Sequence, residues 1–254
     1  MLVLLRVIPF VIGLTVAGGV FVLLTFPHIS IWVMLATLFL ILVLLIRLVG
    51  WAPDQAHFWF LTGIPFSMLI AAFSLILFLE EDIQKGVLGI MTAFFLFFFC
   101  EHLFTYIHAP GAYQMHAIEH LTSVMSICTL FFLSASLYAF RLFLQPSLWI
   151  IGLIFFFSAF FLLAASLWAC KISTVRMTSY AFVGAFLLTE WFGSMTFLPS
   201  GFFPNAALVA LLAYVFLGVS RAHFLQKLTP KVLTRYVLFA SLLAAAVFGT
   251  ARWV

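Results

Sequence analysis

Charge is the scarcest thing in this chain. Asp, Glu, Lys and Arg make up 7% of its 254 residues, against about 25% in an ordinary soluble domain. With 67% of the residues hydrophobic, there is too little polar surface to cover a water-soluble globule. Other absences narrow the chemistry. The three cysteines, Cys100, Cys128 and Cys170, form no C-x-x-C spacing. They read as small buried hydrophobes and say nothing about redox compartment. There is no Walker A loop, no G-x-S-x-G elbow and no dinucleotide fingerprint. No lysine falls in the middle of an apolar run, which argues against a retinal Schiff base. The formal charge of +4 comes without a basic stripe interleaved with aromatics, so nucleic acid is not an expected partner.

What the chain has instead is apolar length. A bilayer core takes roughly 20 apolar residues per helix. Nine runs meet or approach this: Val3–Thr25, Ser30–Gly50, Phe58–Leu79, Val87–His108, His116–Phe143, Ser147–Cys170, Met177–Leu198, Asn205–Ser220 and Val232–Trp253. The breaks between them carry Pro, Gly and charged residues, as turns do. The expected fold is therefore an all-α polytopic membrane protein, one transmembrane domain over residues 1–254 with short loops. The eighth run is short, so eight helices plus a re-entrant piece is the alternative count. The first run is long for a signal peptide and lacks a small-x-small cleavage site, so it reads as a spanning helix.

The basic residues support nine crossings. With alternating loops, Arg6, Arg47, Lys171, Arg176, Arg221, Lys227, Lys231 and Arg235 fall on the amino-terminal side. Lys85, Arg141 and Arg252 fall on the other, together with Glu80, Glu81 and Asp82. The positive-inside rule then puts the amino terminus in the cytoplasm and the carboxyl terminus outside, in the cell membrane. A faint repeat adds to this. Glu101 stands nine residues before Pro110, and Glu190 nine before Pro199. Three inverted units of three helices would place matching acids in matching helices, a pattern found in transporters.

The polar chemistry is concentrated. Cys100 to Ser123 holds two of the seven acids and four of the seven histidines. Glu101, Glu119 and Glu190 lie inside apolar runs, where a charge at the bilayer centre costs about 2.5–3.5 kcal/mol. At 1.5 Å per residue, Glu101 sits about 10–12 Å from one end of its run and Glu190 about 12 Å from one end of its own. Both would lie near the midplane. Two carboxylates brought together in low dielectric cannot readily both ionise, so the pair, with His102 and Tyr106 beside Glu101, is a candidate ion or proton pathway. Separately, His116, Glu119 and His120 stand at i, i+3 and i+4, with His108 across the turn. Imidazole and carboxylate on one helix face could hold a divalent metal such as Zn, and H-x-x-E-H is also the inverted zinc-protease signature.

Three functional expectations follow. The first is a small proton- or cation-linked carrier, or an ion-conducting protein, using Glu101 and Glu190. The second is a membrane-embedded metalloenzyme using His108, His116, Glu119 and His120. The third is an accessory or assembly subunit of a membrane complex. The expected partners are the lipid bilayer and a small ion, solute or lipid, with a second copy or another membrane protein as a further partner.

Overall fold

The computed structural model describes residues 2–114 and 116–251, with side chains from residue 5 onward. Arg252 and Trp253, placed above in the last loop and the last run, lie outside the described residues. The described residues form nine α-helices and no strand. They are α1 (Leu2–Thr25), α2 (Ser30–Val49), α3 (Ala56–Ile76), α4 (Asp82–His108), α5 (Ala117–Leu144), α6 (Leu148–Ala169), α7 (Thr174–Met195), α8 (Phe202–Phe224) and α9 (Pro230–Thr250). Eight are long and apolar enough to cross a membrane. This is an all-helical polytopic membrane protein.

The helix that falls short of that measure is α7, not the doubted eighth. The eighth run extends at both ends into a 23-residue helix. α7 carries Arg176, Glu190 and several Ser and Thr, which dilute its apolarity. It still packs along α6, where Phe192 stacks on Phe155 at 4.5 Å between ring centroids. Several other ends also differ from the apolar runs. α4 begins at Asp82, five residues before Val87, because an acid in the first turn suits the positive end of the helix dipole and Lys85 pairs with Asp82 at 3.0 Å. α7 ends at Met195 rather than Leu198.

The stops follow local chemistry. Gly50 and Gly201 adopt φ of +88° and +82° beside α2 and α8, where a Cβ would be strained. Pro230 opens α9, and Thr229 accepts a hydrogen bond from the Val232 N–H, an N-terminal cap. Gln145, Lys171 and Gln226 take the left-handed conformation after α5, α6 and α8 without being glycine.

The contacts divide the chain into two units, Met1–Met125 and Ser126–Val254. The boundary falls inside α5, so the grouping does not follow a three-helix period. In the first unit α1 packs most extensively on α4, and α2 and α3 complete the ring of neighbours. Gly89 lets α4 approach α1: a Cβ there would meet Val20 Cγ1 at 2.5 Å. In the second unit α6 packs on α7, α7 on α8 and α8 on α9. Ser126 and Ser166 hydrogen-bond at 2.8 Å, and Ser126 also donates to the Leu162 carbonyl. Tyr138 donates to the Phe192 carbonyl at 2.8 Å and stacks on that ring. Such bonds hold helices together where lipid offers no hydrophobic drive. α9 buries no residue.

Candidate functional site

The site is built where α4 ends and α5 begins, within the first unit. α4 closes at His108, a 3₁₀ turn runs over Pro110–Ala112, and α5 starts at Ala117. The first amides of a helix have no internal partner. Here Tyr113 supplies one, its hydroxyl accepting from the Ile118 N–H at 3.1 Å. The Ala117 N–H donates to the Gln114 carbonyl. The Tyr113 ring packs edge-on against Tyr106 at 5.1 Å.

His116 stands just before α5 rather than on it, with φ of +67°. The expected helical face of His116, Glu119 and His120 therefore loses its first member. His116 Nδ1 reaches Glu119 Oε2 at 2.9 Å, and the His116 carbonyl accepts from the His120 N–H. The residue before the helix and the third residue of its first turn thus brace each other side chain to side chain. Glu119 also sits in the first turn, where the dipole favours an acid. Half of the H-x-x-E-H pattern thus has a local structural role.

His108 has a different partner again. Its Nε2 lies 3.0 Å from the carbonyl of Leu48. That carbonyl belongs to the last turn of α2, where the final four acceptors lack helical donors. The contact places a proton on Nε2 and ties the ends of α2 and α4 together. Phe104 packs on the same ring at 5.3 Å. Among the described residues no group of three or more His, Cys, Asp or Glu side chains is arranged to hold a metal ion. The hairpin brings His116 and Glu119 together.

Glu101 is the residue with no such local explanation. It lies seven residues before the end of α4, about 10 Å along the axis. The residue is half-buried, and its Oε2 is buried without a hydrogen-bond partner. One other buried side-chain oxygen among the described residues shares that state, Thr122 Oγ1 on α5. Thr122 is fully buried. The other buried threonines of this unit, Thr37, Thr62 and Thr92, each return their hydroxyl to the carbonyl four residues earlier. Thr122 does not, although that bond is the usual resting place of a helical hydroxyl. Beside Glu101, His102 is half-buried with its ring edge-on to Phe98 at 4.7 Å. Thr105 bonds back to the Glu101 and His102 carbonyls.

Glu190 has another setting. It belongs to the second unit and is exposed on α7, next to an exposed Trp191. Because α7 stops at Met195, Glu190 lies about 7–8 Å from the helix end, nearer than the 12 Å expected from its run. The two acids share a sequence spacing to proline but not an environment. Sequence reasoning singled out Glu101 and missed Thr122, which looks like any other helical threonine. It also missed the Leu48 carbonyl as the partner of His108, since a backbone group sixty residues away leaves no mark in a side-chain pattern.

No protein-family model, no curated protein and no solved structure matches this chain.

Proposed function

We propose that this chain is a small membrane carrier or ion-conducting protein that moves protons or hard monovalent cations, with Glu101 as the group that binds them. The observation that supports this reading is Glu101 Oε2, buried in an apolar helix with no partner from the protein. A buried polar atom left unpaired costs about 1–3 kcal/mol, and more if charged. Such an atom is tolerated where something from outside the fold completes it, and intramembrane acids mark ion and proton paths for this reason. Thr122 Oγ1 offers a second unpaired oxygen on the next helix. It stands five residues into α5, about 7–8 Å from that helix end, against about 10 Å for Glu101 in α4. A carboxyl and a hydroxyl are hard oxygen donors, which suit a proton or an alkali cation better than a soft transition metal. Glu190 is left out of the pathway because it lies exposed on α7.

In this reading the amino terminus faces the cytoplasm of a cell membrane, as the distribution of Lys and Arg favours. The test uses the purified full chain in lipid vesicles under a potassium-diffusion potential. A pH-sensitive dye reports proton entry, and radioactive sodium reports cation entry. The wild type carries at least one of the two, and Glu101→Gln reduces it at least about tenfold, the scale of one lost binding interaction of 1.4 kcal/mol or more. No flux in the wild type, or equal flux in the variant, overturns the proposal.

A further inference from the structure

Six of the eight Lys and Arg of the second unit lie at one end of it, Arg141 at the end of α5 being apart from them. Over Ser126–Val254 the chain has eight Lys and Arg but a single acid, Glu190. Lys171 lies between α6 and α7, and Arg176 in the first turn of α7. Arg221, Lys227, Lys231 and Arg235 lie at the junction of α8 and α9. The two groups share one end. Tyr180, one turn beyond Arg176, packs on Phe224 with ring centroids 4.7 Å apart, and on His223 at 6.2 Å with planes 22° apart. Lys171, Arg176, Lys227, Lys231 and Arg235 are all exposed. None of these five is in an ion pair among the described residues. Glu190 is fourteen residues along α7 from Arg176, about 21 Å away.

A second observation gives the other half of an occupant. Directly beyond Lys231 and Arg235, α9 buries no residue. Leu233, Val237 and Leu238 stand exposed along it, as do Leu225 and Leu228 in the junction. A cationic cap with bare apolar helix below it fits a molecule with an anionic head and an apolar tail.

We propose that this end of the second unit is a binding surface for acidic phospholipids. Their headgroup phosphates are held by Lys171, Arg176, Lys227, Lys231 and Arg235, and an acyl chain lies along α9. Arginine takes phosphate bidentately, and clusters of Lys and Arg at the ends of membrane helices attract anionic headgroups. The inference does not depend on the carrier reading. A basic end that serves only to orient the chain during insertion would show no lipid preference once the protein is in place.

The experiment reconstitutes the full chain in mixed phosphatidylglycerol and phosphatidylcholine, extracts it with mild detergent and measures the lipids retained by native mass spectrometry. The wild type retains phosphatidylglycerol above its share of the mixture. Lys227→Gln/Lys231→Gln/Arg235→Gln lowers that enrichment by at least about fivefold, the contribution of one basic residue near an anionic surface. Lys171→Gln/Arg176→Gln, on the other connection, lowers it in the same direction. Lys85→Gln in the first unit leaves it unchanged. Absence of enrichment in the wild type, or enrichment in both multiple variants equal to that of the wild type, overturns the proposal. Loss of enrichment on adding inorganic phosphate also overturns it, because the site would then take a soluble anion.

Discussion

The first unit, Met1–Met125, holds six of the seven acids and three of the eleven basic residues; the second, Ser126–Val254, holds one acid and eight basic residues. Their interiors differ as well. In the second unit buried hydroxyls are used to join helices, as in the Ser126–Ser166 bond and the Tyr138 bond to the Phe192 carbonyl. In the first, Glu101 Oε2 and Thr122 Oγ1 are buried and left without partners. A polar group that joins helices is explained by the fold. One left unpaired in an apolar setting is not, and needs another account. The contrast tells Glu101 from Glu190 more sharply than the number of acids alone, since Glu190 is an intramembrane acid by sequence yet lies exposed on α7.

The largest expected effect falls on Glu101. Glu101→Gln should leave the chain assembled and reduce vesicle flux at least about tenfold, whereas Glu190→Gln should change it less than twofold. Equal losses in both would erase the contrast between the units. Next is packing. Gly89→Val forces a side chain into Val20 between α4 and α1, and overpacking of this kind costs about 1–3 kcal/mol. Thermal unfolding in detergent should show that loss. His108→Ala removes the donor to the Leu48 carbonyl and should cost about 1 kcal/mol by the same assay. A smaller change is expected in the second unit. Tyr138→Phe keeps the stacked ring but loses one hydrogen bond, worth about 0.6 kcal/mol between membrane helices. The Phe192 carbonyl keeps the Thr196 hydroxyl as a donor, so no acceptor is stranded. The smallest effect belongs to His116→Ala. Its partner contact with Glu119 has a largely exposed histidine, and i, i+3 pairs of this kind contribute about 0.2–0.5 kcal/mol.

Much of the fold was legible in the sequence because apolar runs of membrane length have few other uses. Each of the nine runs holds one of the nine helices of the described residues. Their ends were less legible, for a physical reason. An apolar run records the thickness of oil, but a helix continues into the headgroup layer where charge is welcome. Asp82 and Lys85 at the start of α4, Arg176 in α7, and Arg221 and His223 at the end of α8 all lie in helix beyond the runs. The candidate site was legible in part. Glu101 stood out because a carboxyl in a Phe- and Leu-rich stretch is expensive. His116, Glu119 and His120 were read as one helical face because their spacing allowed it. The left-handed backbone at His116 removed it from the helix, and no residue spacing announces that turn. Thr122 was invisible because only its surroundings distinguish it from Thr62 or Thr92.

The central claim is that Glu101 is a working carboxyl reached from inside the bilayer. Treating the reconstituted chain with a lipid-soluble carbodiimide and locating the adduct by peptide mass spectrometry tests it most directly. The account predicts an adduct at Glu101 and a fall in flux that tracks the labelled fraction. A Glu101 that stays unmodified, or full modification with flux intact, would contradict it.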